Sequence, residues 1–429
     1  MTQEKRDMKD SGVEWLGEIP VRWEIVKLGV AAEITAGQSP PGHTYNFDGF
    51  GLPFFQGKAE FGAFYPVPQK WCTEPQSICE SGDILISVRA PVGDVNMAAE
   101  LSCIGRGLAA IRVKETCNSQ FLYRILLSAK HGIARQATGS TFESIPVSVL
   151  RNLAIPLPPL HEQRAIASYL DAETARIDKL IAKTERLNEL LREKRTALIS
   201  QAVTKGLDAG VALKESGGEW LGEIPRHWDV KRLKFCATIR TAHIDPTLRE
   251  FSQRKLIAPN HIESSTGRLL EVDSAEEQGA ISAKVPFQQG DVLYSKIRPN
   301  LHKVCIAPFD GLCSSDIYPL LPNGNIISLY FLYTILCKGF HQLTILQVMG
   351  ATIPRINQES LMDILISLPP LHEQRAIAAY LDAETARIDR LIGVNDRLIH
   401  LLREKRSALI SAAVTGKIAV PAVEPGKSC

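Results

Sequence analysis

Apolar residues recur at helical spacing through two long stretches of the chain, roughly Leu160–Val203 and Leu371–Val414. A heptad can be counted along each. In the first, Leu170, Ile177, Thr184, Leu191 and Leu198 fall on one seam position. Ile166, Leu180 and Leu187 fall on the other, with Glu173 and Lys194 as charged exceptions. In the second, Leu381, Ile388, Asn395, Leu402 and Leu409 alternate with Ile377, Leu391 and Leu398. Pro158-Pro159 and Pro369-Pro370 mark the starts, because proline ends a strand and is tolerated in a first helical turn. Outside these stretches the apolar runs are short and broken by glycine and proline. ILIS at Ile84–Ser87 and VLYS at Val292–Ser295 predict strands after Gly-Asp turns, while FLYRILLSAK and YFLYTILCKG predict helices.

The pattern is duplicated. LPPLHEQRAIASYLDAETARID at Leu157–Asp178 returns at Leu368–Asp389 with a constant offset (368 − 157 = 211), and only Ser168 against Ala379 differs. LLREKRTALIS (Leu190–Ser200) returns as LLREKRSALIS (Leu401–Ser411), and the opening box SGVEWLGEIPVRWEIVKL at Ser11 returns as SGGEWLGEIPRHWDVKRL at Ser216. Between box and helix the halves have diverged, with anchors such as Gly82-Asp83 against Gly290-Asp291. The fold class expected is α+β: two tandem-duplicated α/β domains separated by two long helices that form an antiparallel coiled coil with pseudo-two-fold symmetry. The expected boundaries are residues 1–156 and 208–367 for the domains, 157–207 and 368–420 for the helices, and 421–429 for a tail.

A helix of about forty residues is a rod of roughly 60 Å, long enough to act as a spacer. Thr184 and Asn395 share one polar seam position, which would fix register at some cost in stability. Tolerated polar residues in an imperfect seam explain the pair equally well, and two amphipathic helices folded onto their own domains are the alternative to pairing.

Composition narrows the chemistry. Nine scattered cysteines without a CxxC pair fit reduced thiols in a reducing compartment, so a cytoplasmic protein without a bound metal is expected. No apolar run reaches the length of a membrane span, and the polar start MTQEKRDMKDSG is no signal peptide. His161-Glu162-Gln163-Arg164 begins like a zinc-protease helix, but Ala165 stands where the second histidine is required, and Ala376 repeats the failure. No phosphate loop and no amino-methyltransferase NPPF or DPPY tetrapeptide is present. The chain reads as non-catalytic.

The repeated LPPLHEQRAIA helices, the GEWLGEIP-type boxes and the GDILIS-type strands in two dissimilar domains resemble the DNA specificity subunit of type I restriction-modification systems, over essentially the whole chain. The resemblance implies two target-recognition domains, each reading one part of a split asymmetric double-stranded DNA site. It implies helices that set the unread gap and dock two methyltransferase subunits, with restriction (translocase/nuclease) subunits joining them. No cofactor is expected on this chain; S-adenosylmethionine, ATP and Mg would sit on the partners. A coiled-coil scaffold without a DNA role, and a catalytic subunit of the same system, are the rival readings.

Charge gives such a reader little help. The net charge is +2, and each domain is close to neutral, with 15 basic and 16 acidic groups in residues 1–156 and 16 and 17 in residues 208–367. Duplex affinity scales with phosphates neutralised, so weak binding by the isolated chain is expected, and local clusters must do the reading. The candidates follow the strand anchors: Ser87 and Arg89 in the first domain, and Tyr294, Ser295, Lys296, Arg298 and Asn300 in the second. Arginine and lysine can read guanine in the major groove, and asparagine adenine. Gln56 and Lys58 sit in a glycine-flanked loop beside aromatics, and Arg106 lies between two glycines that permit close backbone approach. Ser140, Thr141, Thr352 and Arg355 complete the set, with hydroxyls or a guanidinium for phosphate or base.

Overall fold

The computed structural model describes residues 7–136, 144–348 and 354–420. The chain divides into two units, one of residues 1–184 with 397–429 and one of residues 185–396. Each therefore takes part of both long helices.

Unit 1 is built on a four-stranded antiparallel sheet of β1 (Ala32–Ala36), β2 (Ile84–Ser87), β3 (Val95–Met97) and β4 (Leu108–Val113), ordered β3-β2-β4-β1. Register pairs Ile111 with Ile34 and Ala109 with Ile86, so the β-branched residues of three strands fall on a shared face. That face is covered by α1 (Ser119–Arg135). The helix begins at Asn118, whose side chain accepts from the Phe121 N–H at 3.0 Å, and it buries Phe121, Leu122, Ile125, Leu126, Ala129 and Ile133 at helical spacing. A second sheet, of five short strands, contains one parallel pair, Leu52–Phe55 beside Ser102–Ile104.

Unit 2 repeats the plan. Its antiparallel sheet orders β5 (Ala237–Ile239), β8 (Ile317–Pro322), β6 (Val292–Ser295) and β7 (Val304–Ile306). Its small sheet has the matching parallel pair, Leu256–Ile257 with Gly311–Cys313. The covering helix differs: α3 (Ser328–Leu336) ends at an extended Cys337, and α4 (Lys338–Leu346) resumes.

A Gly-Asp turn with a buried aspartate recurs with a different partner in each unit. Asp83 holds Arg112 of β4 at 2.8 Å, whereas Asp291 holds Arg240, just past β5, at 2.6 Å. The carboxylate needs a guanidinium; in unit 1 the adjacent strand β4 supplies it, and in unit 2 it comes from past β5, two places across the sheet from β6.

The long helices α2 (Leu160–Lys205) and α5 (Leu371–Val414) begin where the proline pairs predict and end at Gly206 and Gly416, both left-handed (φ 75° and 73°), which stops a helix without a Cβ penalty. Within unit 2, Asn188 meets Asp396 and Arg195 meets Asp389, so seven residues forward on one helix are seven back on the other (195 − 188 = 396 − 389). Within unit 1, Asp178 meets Arg406, while Ile410, Ala413 and Val414 share a core with Ile166, Ala167 and Leu170. The helix segments in each unit are antiparallel.

The first seam row stands as counted: Leu170, Ile177, Leu381, Ile388 and Leu402 are buried, Thr184 too, and Leu191, Leu198, Asn395 and Leu409 are partly so. The second row needs correction. Leu180, Leu187, Leu391 and Leu398 are 39–47% exposed, and Ile166 and Ile377 are buried against the domains rather than continuing a seam. The second inward row lies one residue on, at Thr174, Asn188, Arg195 and Ala202, and at Thr385, Ile399 and Ala413. It is rich in polar residues, and counting apolar positions therefore selected the wrong face.

Candidate nucleic-acid interface

The repeated HEQR element anchors each long helix to its domain. Gln163 is fully buried, accepting from the Asn118 N–H at 2.8 Å and donating to the carbonyls of Thr116 (3.0 Å) and Pro158 (2.8 Å). Gln374 repeats this with the Ile327 N–H and the carbonyls of Asn325 and Pro369. The neighbouring glutamates catch the opening boxes: Glu162 accepts from the Trp23 indole at 3.3 Å, and Glu373 from the Trp228 indole at 2.9 Å. The glutamate and glutamine of both HEQR runs, and the tryptophans Trp23 and Trp228 of the boxes, are thus explained by packing. The duplicated boxes in the sequence were the available signal, but they did not name the partner.

On this scaffold the strands β2 and β6 deliver the divergent loops. In unit 1, Ser87 is buried; its hydroxyl donates to the Pro91 carbonyl at 2.7 Å and accepts from the Asp94 N–H at 2.9 Å. Ser87 shapes the loop and is not a surface contact, which corrects that expectation. The loop it closes leaves Arg89 exposed, bridged through backbone to Ser144, and the Val88 N–H bonds the Gly107 carbonyl at 2.9 Å. Arg106 is also exposed, its Nε donating to the Ser39 hydroxyl at 3.3 Å. A Cβ on Gly107 would lie 2.2 Å from the Gln56 carbonyl oxygen, so only glycine lets these loops touch. Gln56, Arg89 and Arg106, far apart in sequence, therefore lie on adjoining loops. Lys58 is differently engaged: with Lys130 it grips Asp94, at 2.9 and 2.6 Å. Burial acts to raise the Asp94 carboxyl, but the two ammonium groups hold it below its ordinary value.

In unit 2, Tyr294 and Ser295 are buried, the first in the core and the second donating to the Ile297 carbonyl at 3.1 Å, so neither faces outward as expected. Lys296 sits 4.8 Å above the Tyr318 ring; burial, with Arg355 adding to it, lowers its ammonium below the ordinary lysine value. Arg298 and Asn300 are exposed, and Arg355 reaches Asp316 at 2.9 Å. The Ile356 N–H bonds the Lys296 carbonyl just as the Ile145 N–H bonds that of Val88. The two loop clusters are built on the same frame with different side chains. Arg298 and His302 are both left-handed (φ 46° and 49°), at a cost of order 1–3 kcal/mol each. Ser140, Thr141 and Thr352 lie outside the described residues.

An exposed guanidinium on a braced loop is suited to a guanine edge or a phosphate. Acidic neighbours, Asp94 and Asp316, already consume part of the positive charge.

The fold and these loops define a tandem recognition protein, and comparison with known proteins specifies it. The family model described as "Type I restriction modification DNA specificity domain" matches residues 20–192 and 226–396. The chain belongs to the type I restriction-modification DNA specificity family, and its role is that of the DNA recognition subunit. It is 44% identical over 192 residues to the putative type I restriction enzyme MjaX specificity subunit of Methanocaldococcus jannaschii, an alignment spanning 44% of each chain. It is 27% identical to the EcoDI specificity subunit of Escherichia coli over 94% of this chain and 90% of that one. In fold it is similar to a chain from work described as "Structural basis underlying complex assembly and conformational transition of the type I R-M system", with a TM-score of 0.72 and 17% identity, covering 93% of this chain and 99% of that one. The HsdS subunit from Thermoanaerobacter tengcongensis follows at TM-score 0.53 and 18% identity, covering 93% and 98%. Among the described residues no helix is long and apolar enough to cross a membrane.

Proposed function

We propose that the chain reads a split, asymmetric duplex site, one part through the loops around Gln56, Arg89 and Arg106 and the other through those around Lys296, Arg298, Asn300 and Arg355. The observation that carries this is the same β-strand anchor, bridged in the same way at Arg89–Ser144 and Ile297–Arg355, presenting different side chains. A symmetric dimeric reader is bound to palindromes, whereas a duplicated chain with diverged loops is free of them. The long helices act as the ruler for the unread gap and as the dock for two methyltransferase subunits, which restriction subunits join. The chain itself is a non-catalytic cytoplasmic scaffold. Adenine methylation with S-adenosylmethionine, and ATP- and Mg-dependent translocation and cleavage, belong to the partners. Near-neutral domains fit this division, since partners that close around the duplex supply the missing phosphate contacts.

Selection of bound fragments from a random duplex pool, by this chain assembled with its methyltransferase partner, tests the proposal. Two short enriched motifs at a fixed spacing are expected. A single contiguous motif, a palindrome or no enrichment contradicts it.

A further inference from the structure

One side chain of the seam leaves the helix pair and enters a domain. Arg195 of α2 is buried, and its guanidinium donates to the Ser265 carbonyl at 2.9 Å and the Thr266 carbonyl at 2.8 Å. Its Nε lies 3.2 Å from Asp389 Oδ1 on α5, an ion pair bent away from hydrogen-bond alignment. Ser265, left-handed at φ 62°, passes the connection on: its N–H bonds the His302 carbonyl at 2.9 Å. His302 ends the short turn Pro299–Leu301 that starts at Arg298. The far side of that turn is clamped by His341, which stacks on His302 at 3.8 Å between ring centres and bonds the Pro299 carbonyl at 2.9 Å. His302 also bonds the Ile335 carbonyl at 2.9 Å.

The three non-glycine residues with left-handed backbone among the described residues, Ser265, Arg298 and His302, thus belong to one chain of contacts that begins on the helix pair. Such conformations persist only where the surroundings over-determine them. The duplication supplies an internal comparison. Arg406, the counterpart of Arg195 (195 + 211 = 406), makes the same pair with Asp178 at 2.9 Å, but its side chain is 33% exposed where that of Arg195 is 10%. The ion pair is common scaffold, and the grip on a domain loop is the addition in unit 2.

We propose that Arg195 is a positioning residue for the second reading loop: it fixes where Arg298 stands by tying the Ser265–His302 contact to the helix pair. The proposal rests on the reading of the Arg298 loop as a base-contacting element. Arg195 touches no DNA in it, and acts through the backbone of Ser265 and Thr266.

The test uses the chain assembled with its methyltransferase partner and compares R195A, R195K, R406A and R298A with the parent. Two readouts separate the coupling from the DNA reading. Amide hydrogen exchange without DNA should quicken at residues 298–303 in R195A, and less in R195K, which keeps the charge but not the two-carbonyl fork. Random-pool selection should show R195A losing roughly tenfold discrimination at the same base positions as R298A. The other half-site should remain intact, and R406A should leave both half-sites unchanged. Unchanged exchange at 298–303 in both Arg195 variants overturns the coupling whatever DNA does. Quickened exchange with an unchanged motif in R195A and R298A instead overturns the assignment of the loop to base reading, and the proposal with it. Uniform weakening over all sequences reduces Arg195 to a stability role and also overturns it.

Discussion

Asn395 donates its side-chain N–H to Asn188 Oδ1 at 2.8 Å, and Asn188 donates in turn to Asp396 Oδ1 at 2.8 Å. Asn188 is buried, so this relay is a fixed polar stitch between two antiparallel helices rather than a solvated pair. It belongs to an inward row that carries Thr174 and Arg195 as well. The seam register is therefore specified by polar matching, with the apolar row supplying the adhesion.

That register separates residues which the apolar count placed together. Ile177→Ala should cost about 2–5 kcal/mol, while Leu180→Ala and Leu187→Ala, at exposed positions, should stay within about 0.5 kcal/mol of the parent. Urea unfolding of the three variants decides it; equal costs would restore the rejected row.

The buried glutamines should be worth more than their small size implies. Gln374→Ala strips partners from the Ile327 N–H and two carbonyls, at an expected cost of about 3 kcal/mol. Gln374→Glu should be comparably harmful, because it replaces the amide N–H donor. Thermal unfolding reports both, and a neutral Gln374→Ala would show that the helix start is held by the apolar contacts alone.

Acid should loosen unit 2. Burial, with His341 and Arg195 adding to it, pushes His302 down from 6.5 to about 4. The unfolded chain thus binds a proton that the folded one refuses. The resulting stability is fully present above pH 6.5 and is lost as pH falls through 6.5 towards 4, by about 3 kcal/mol in all. Denaturant midpoints between pH 7 and pH 4 should show this slope in the parent and a flatter one in His302→Asn. Identical slopes would remove His302 from the acid response.

Arg89→Ala and Arg298→Ala should each cost about 1–3 kcal/mol of base discrimination, in different parts of one site. Enrichment profiles from a random duplex pool measure this. Uniform loss of affinity would assign the side chain to phosphate instead.

The architecture was legible because duplication repeats the scaffold and lets the readers drift: the proline pairs gave the helix starts, and Gly82-Asp83 and Gly290-Asp291 gave β2 and β6. What escaped was whatever depends on polar burial. Asn188 and Arg195 look like solvated helix residues until their partners, about 200 and 70 residues away, are in place. Ser87 and Tyr294 look like the ends of strands meeting solvent, yet the following loop folds back over Ser87 and Tyr294 is buried in the core. Arg89, Arg106, Arg298 and Asn300 are exposed, as the glycine-flanked and post-strand placement of their loops predicts.

The proposed function has each divergent domain carry its own half of the specificity on a shared scaffold. Replacing residues 208–367 with a second copy of residues 1–156, and repeating the pool selection with the methyltransferase partner present, tests it most directly. The first half-sequence should then be read twice, and the second should vanish from the enriched site. Survival of the original asymmetric site in that chimera would contradict it, and would move the specificity out of these loops.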